Sequence, residues 1–229
     1  IEGVLRLVAR REKKLFWGFL GLIAVTLFML PLNKLDNDPF AFIDEGSDLS
    51  VVVEILQREF ENDRGLAFVV RSNEYYGITN RDFLVKVDDI ATQLEADPQI
   101  NWVSSYIDYL KLRNKAANHD DEAYEVIPED QLTVIDYLVG YQLFAEIDPN
   151  SGQMFNKDYS AIYLYVATSG LSDEEILQLA NKIDVLAENY ASESFQVTHA
   201  NNTILEARLN QIISTELFTG FSLSLVMIT

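Results

Sequence analysis

Two histidines, thirty-six carboxylates and no cysteine are the groups in this 229-residue chain that could ligate a metal, relay a proton or attack an electrophile. His119 lies in a polar stretch and His199 at the end of an apolar alternation, with no HExxH pairing, so neither spacing predicts a metal centre. The absence of cysteine rules out thiolate sites and disulfides alike. Asp36 with Asp38, and Asp44-Glu45-Gly46-Ser47-Asp48, offer oxygen ligands but lack the alternation and distal Glu of a calcium loop. Asp148-Pro149-Asn150-Ser151-Gly152 fails in the same way, because its twelfth position is Tyr159. There is no glycine-rich phosphate loop and no G-x-S-x-G elbow. Carboxylate pairs carry no message about hydrolysis in so acidic a chain. Catalysis is not expected, and neither is a cofactor.

Tyrosine is the residue left with recognition chemistry. In Tyr159–Thr168 (YSAIYLYVAT), Ile162, Leu164 and Val166 alternate with Tyr159, Ala161, Tyr163 and Tyr165. On a strand the two sets face opposite ways. Each tyrosine combines an apolar ring with a hydroxyl, which suits contact with another domain or with an amphiphilic ligand. Tyr159, Tyr163 and Tyr165 are therefore the candidate contact residues, with packing against a neighbouring domain the plainer of the two readings.

The elements that would position them repeat. Ile78-Thr79-Asn80-Arg81-Asp82-Phe83 predicts a helix capped by Thr79, with Phe83, Val87, Ile90 and Leu94 on one stripe. Leu171-Ser172-Asp173-Glu174-Glu175-Ile176 predicts a second, with Ser172 and Glu175 as a capping box and Ile176, Leu179, Ile183, Leu186 and Tyr190 as its stripe. Strand-like segments flank each: Leu66–Arg71 and Ile100–Tyr106 around the first, Tyr159–Thr168 and Phe195–Ala200 around the second. The expected fold class is α+β, a ferredoxin-like split βαβ sandwich with units at 65–106 and 158–200 and a helical insertion at 107–157. Within the insertion Lys111–Asp121 reads as a polar loop. A helix is predicted to open at Pro128-Glu129-Asp130 and run to Ala145, with Leu132, Ile135, Leu138 and Val139 on its apolar face. Asp48–Glu61 predicts a further amphipathic helix.

The chain's two ends are of a different character. Leu15–Leu32 (LFWGFLGLIAVTLFMLPL) holds eighteen uncharged residues. As a helix it would be about 27 Å long, close to a bilayer's hydrocarbon thickness. Phe218–Thr229 is as apolar but about half that length. Residues 1–34 carry six basic and two acidic side chains, leaving 11 basic against 34 acidic, or −23, for the rest of a chain of net charge −19. The positive-inside bias places 1–14 in the cytoplasm, a membrane helix at 15–32, an external domain at 33–216, and the start of a returning helix at 217–229. A cleavable signal peptide fits less well, since Pro31-Leu32-Asn33-Lys34 offers no small-x-small site. With Ile1 at the start and half a span at the finish, the expectation is a piece of a larger polytopic protein. Neither apolar run holds an ionisable group, so any proton relay must be elsewhere. So acidic a surface argues against nucleic acid. Asn201-Asn202-Thr203 matches a glycosylation sequon, a weak three-residue signal.

This layout resembles the resistance-nodulation-division superfamily of exporters, particularly the compact MMPL-like and lipid-exporter branch. The similar features are the basic N-terminus, the apolar run and the acidic Asp36-Asn37-Asp38-Pro39-Phe40. Then come GLAFVVRS at Gly65–Ser72, DPQINWVSSY at Asp97–Tyr106, and the exit from Phe195 to the final apolar run, with Glu216 ahead of it. The resemblance implies an exporter of hydrophobic or amphiphilic molecules driven by the proton motive force, in a bacterial inner membrane, with residues 33–216 as its first periplasmic porter domain. Its implied partners are the lipid bilayer, the remaining membrane helices, a second porter domain and the substrate, with homo-oligomerisation left open. A membrane-anchored sensor or binding module without transport, or a membrane-anchored assembly or polymer-length regulator, are the competing readings.

Overall fold

Alternating apolar residues at Leu66–Arg71 and Ala161–Ala167 form strands β1 and β3, the central pair of a four-stranded antiparallel sheet in a computed structural model. The structure describes residues 2–29, 43–44, 46–147 and 154–228. The chain divides into two compact units, one of them ending at Arg208 and holding the sheet, the other made of the N-terminal helix and the chain from Leu209 onward.

In the sheet unit, helix α2 (Asp48–Glu59) leads into β1, helix α3 (Arg81–Glu95) connects β1 to β2 (Trp102–Ser104), and helices α4 (Tyr106–Ala117) and α5 (Gln131–Ile147) precede β3. Helix α6 (Asp173–Glu188) connects β3 to β4 (Gln196–His199), and α7 (Asn202–Ile228) leaves the sheet. The strand order is β2-β3-β1-β4. Each βαβ segment thus contributes one central and one edge strand, and neither can close its sheet without the other. The fold class is α+β.

The pairing register sorts the side chains into two faces. Leu66 lies opposite Val166, Phe68 opposite Leu164 and Val70 opposite Ile162, and all six are fully buried. Phe83, Val87, Ile90 and Leu94 of α3 and Ile176, Leu179 and Ile183 of α6 close over them, every one in the core. At about 1.5–3 kcal/mol for each large apolar side chain, this layer is the main stabilising term. Ser172 caps α6 with the expected box, its hydroxyl accepting from the Glu175 N–H while the Glu175 carboxylate accepts from the Ser172 N–H.

Several expectations shift. The N-cap of α3 is Asn80, whose side chain accepts from the Asp82 N–H, because Thr79 is buried in a 3-10 turn at Gly77–Thr79. The expected loop at Lys111–Asp121 is helical as far as Ala117. Ser105 and Asp108 form a capping box that ends the strand at Ser104 and starts α4 at Tyr106. Helix α5 is rotated from its expected face. Val134, Leu138 and Tyr141 are buried, while Leu132, Ile135 and Val139 are exposed. The turn at 148–152 lies outside the described residues, as do Asp36, Asp38 and Glu45.

In the other unit, helix α1 (Glu2–Met29) starts well before Leu15 and is kinked at Arg11, with φ −130° and ψ 24°. The complete span expected at 15–32 is not found: among the described residues, no helix is long and apolar enough to cross a membrane. The described apolar part, Leu15–Met29, covers about 22 Å, short of the roughly 30 Å hydrocarbon layer, and 30–32 lie outside the described residues. The expected second span at 217–229 is the far end of the long helix α7, which starts at Asn202 rather than at the apolar run.

Candidate functional site

Register decides which tyrosines share a surface. Tyr163 lies opposite Val69, and Tyr165 sits between Ala67 of β1 and Ser104 of β2. Both rings point away from the helices and are half-buried. Trp102, paired with Ala167, shares that face, and its ring lies 5.5 Å from Tyr165. Small residues beneath, Ala67 and Ala167, give the rings room to lie across the strands.

Two polar tips of this face are already engaged. Asn62 donates to the Tyr165 hydroxyl at 2.8 Å, and the Trp102 indole N–H donates to the Phe60 carbonyl at 3.0 Å. Gly65 passes under the Tyr165 ring so closely that a Cβ there would meet the hydroxyl oxygen at 2.0 Å. Burial pushes the Tyr163 hydroxyl above its ordinary pKa, with a smaller push from Tyr165. The face therefore offers partly exposed rings and the Tyr163 hydroxyl.

Tyr159 does not belong to it. It precedes β3 in a turn with φ 51°, and its ring stacks on Tyr76 at 4.9 Å and meets Phe155 at 5.6 Å. Its hydroxyl is held by Gln142. The three tyrosines proposed as one surface are thus two on the sheet and one in a separate aromatic cluster.

That cluster was not legible in strand alternation. Tyr106 and Tyr109 of α4, Tyr141 of α5 and Phe155 pack with ring centroids 5.0–6.2 Å apart. Burial pushes the Tyr106, Tyr109 and Tyr141 hydroxyls upward. The spacing of Tyr106 and Tyr109 behind the Ser105–Asp108 box was the available signal.

A second feature without sequence warning is the buried ion pair of Arg64 and Asp173. The Arg64 guanidinium reaches the Asp173 carboxylate at 2.5 Å and the Leu171 carbonyl at 3.1 Å, with both charged side chains under a tenth exposed. Thr168 closes the arrangement by donating to the Arg64 carbonyl at 2.6 Å. This fastens the start of β1 to the start of α6 and so joins the two βαβ segments.

The candidates for metal or nucleophilic chemistry stay scattered. Among the described residues, no group of three or more His, Asp and Glu is placed to hold a metal ion. His199 ends β4 and pairs with Asp184 of α6 at 2.9 Å, while His119 is exposed in the turn after α4. The sequon's Asn201 is tied down, its amide donating to the Gly65 carbonyl at 2.6 Å and to Thr203 Oγ1 at 3.1 Å. A cavity of about 170 Å³ opens beside the start of α3, lined by Ser72, Asn80, Lys86 and Phe195 among others. Its one buried hydroxyl, Ser72, bonds the carbonyls of Glu74 and Ser160, and among the described residues no histidine lines the cavity. Nothing there is arranged as a nucleophile with its base.

No family profile and no curated protein matches this chain.

Proposed function

We propose that the chain supplies a membrane anchor and the first outer domain of an exporter of hydrophobic or amphiphilic molecules, driven by the proton motive force. The observation that carries this reading is the pairing of an acidic, interleaved βαβ sheet with a helix that leaves most of its large apolar side chains exposed. Phe16, Trp17, Phe19, Leu22, Val25 and Phe28 of α1 are each more than half exposed. A helix apolar on every side is stable only when it is covered or immersed in lipid. Leu217, Phe221, Leu223 and Met227 of α7 repeat the pattern.

Three hydroxyls in these runs support the same setting, while that of Ser222 has no hydrogen-bond partner among the described residues. Thr26, Thr219 and Ser224 each donate to the carbonyl four residues earlier, at 2.8–2.9 Å, which satisfies them without water.

The sheet unit fits the porter role. Its strand order and two crossover helices are those of a ferredoxin-like split βαβ domain, which leaves one sheet face free of its own helices. On that face Tyr163, Tyr165 and Trp102 present partly exposed rings, those of Tyr165 and Trp102 with their polar tips already engaged, suited to the apolar part of an amphiphile or to a second such domain. The energy-coupling acids belong to helices beyond these two apolar runs, neither of which holds an ionisable group.

Export of a lipophilic fluorescent dye, followed in cells carrying the protein as its gene encodes it, tests the proposal. Replacing Tyr163 and Tyr165 by Ser should raise retained dye several-fold while the protein stays folded and keeps its abundance. Unchanged retention in a folded variant would favour the anchored binding module instead.

A further inference from the structure

We infer that the corner formed by Tyr75, Tyr76 and Tyr159 is a binding site for a quaternary ammonium group. This goes beyond the export reading and stands without it, because the site lies off the end of β3 and rests on residues other than Tyr163 and Tyr165.

Tyr75 is 72% exposed and Tyr76 is 45% exposed, so two large rings stand side by side at the surface. They are perpendicular, with centroids 4.6 Å apart and planes at 88°. Tyr76 is backed by Tyr159, stacked at 4.9 Å and 17°, and Tyr159 is in turn held by Phe155 and Gln142. The result is an open two-walled corner on a fixed base.

The backbone holds this geometry against local preference. Tyr76 has φ 58° and Tyr159 has φ 51°, left-handed values that bulky residues seldom adopt. Hydrogen bonds from the Tyr76 N–H to the Asp158 carbonyl at 3.2 Å and from the Ile78 N–H to the Tyr159 carbonyl at 3.0 Å clamp the two turns together. Strain kept in this way marks positions where surroundings dictate the conformation. Here it brings together rings 83 positions apart in sequence.

The chemistry selects the ligand. Ring faces carry negative potential and attract cations within about 6 Å of the centroid. Glu74 and Asp158 adjoin these rings in sequence and add carboxylate charge. The Tyr75 hydroxyl is pushed above its ordinary pKa, mainly by its hydrogen bond with Tyr76 and that neighbour's charge, with smaller contributions from burial and from Asp158. Lys157 adjoins Asp158 but is exposed, and the cation–ring contacts observed lie elsewhere, Lys86 on Phe195 and Arg113 on Tyr137. The Tyr159 hydroxyl is taken by Gln142, so the corner meets a cation chiefly through its ring faces. A cation with no N–H to satisfy fits such a surface best, and a quaternary ammonium is that cation.

The probe is tetramethylammonium chloride, added to the full chain in a choline-free maltoside micelle and followed by broadening of its methyl resonance against equal sodium chloride. Saturable broadening is expected in the millimolar range. It should weaken about tenfold or more in Tyr75→Ala, which removes an exposed ring, and in Tyr76→Gly, which adopts the positive φ without strain. Circular dichroism of both variants should match the parent. Competition by choline and by phosphocholine then separates two sources of the same group. Tighter phosphocholine points to a lipid headgroup, tighter choline to a free small cation, and either upholds the site. No saturable broadening, or equal broadening in folded Tyr75→Ala, overturns it.

Discussion

Replacing Arg64 with Met should be among the most damaging single changes in the sheet unit. Its guanidinium is buried, bonded to the Asp173 carboxylate at 2.5 Å and to the Leu171 carbonyl at 3.1 Å. Met keeps the bulk but leaves the Asp173 charge in a site less than a tenth exposed. Breaking a buried pair from one side costs about 3–5 kcal/mol. Replacing both residues with Met and Leu removes the charges together. The loss is then limited to packing and to the favourable position of Asp173 in the first turn of α6, about 0.3–1 kcal/mol for the latter. The double variant should therefore lie within about 2 kcal/mol of the parent, giving a coupling energy of about 2 kcal/mol or more. Urea unfolding of the four proteins, followed by far-UV circular dichroism, measures this directly. If Arg64→Met costs less than about 1 kcal/mol, or the two single costs simply add, the pair does not fasten the two βαβ segments as argued.

Two further perturbations test the local accounts. Gly65→Ala would drive a methyl group into the Tyr165 hydroxyl, so it should destabilise by about 1–3 kcal/mol in a thermal melt, and Tyr165→Ala in the same chain should recover part of that; an undiminished melting temperature in Gly65→Ala would show that Tyr165 moves aside freely. Asp108, the acid of the α4 capping box, has its pKa raised mainly by burial. A raised carboxyl contributes stability that is full below its unfolded value, about 3.9, and is lost as pH climbs through the folded value. Asp108→Asn keeps an acceptor for the Ser105 N–H without the charge, so its urea midpoint should match the parent's near pH 3.5 and exceed it at pH 7. A gap that narrows as the pH rises would contradict the burial cause.

The sequence carried the sheet because both central strands alternate cleanly and both crossover helices repeat one stripe. Leu66, Phe68 and Val70 meet Val166, Leu164 and Ile162 as that alternation requires. Errors arose where two local signals competed. Thr79 and Asn80 are both good caps, and only the buried 3-10 turn at Gly77–Thr79 decides for Asn80. Lys111–Asp121 is polar enough for a loop, yet the Ser105–Asp108 box upstream had already committed its first residues to α4. Helix α5 has apolar residues on two sides, so periodicity alone could not choose Val134, Leu138 and Tyr141 as the buried set. Tyr159 fits the alternation of β3 in sequence, but its left-handed backbone takes it off the strand. The Arg64–Asp173 pair spans 109 positions and has no local signature.

The absence of cysteine makes the central proposal, an acidic domain held outside a membrane by an apolar helix, directly measurable. Glu122→Cys places a thiol on a side chain 88% exposed in the sheet unit, and Lys13→Cys places one on the basic stretch before the apolar run. A membrane-impermeant maleimide applied to intact bacterial cells should label Glu122→Cys, and should label Lys13→Cys only after the cells are opened. Protection of Glu122→Cys in intact cells, or recovery of the protein in the soluble fraction, would contradict the account.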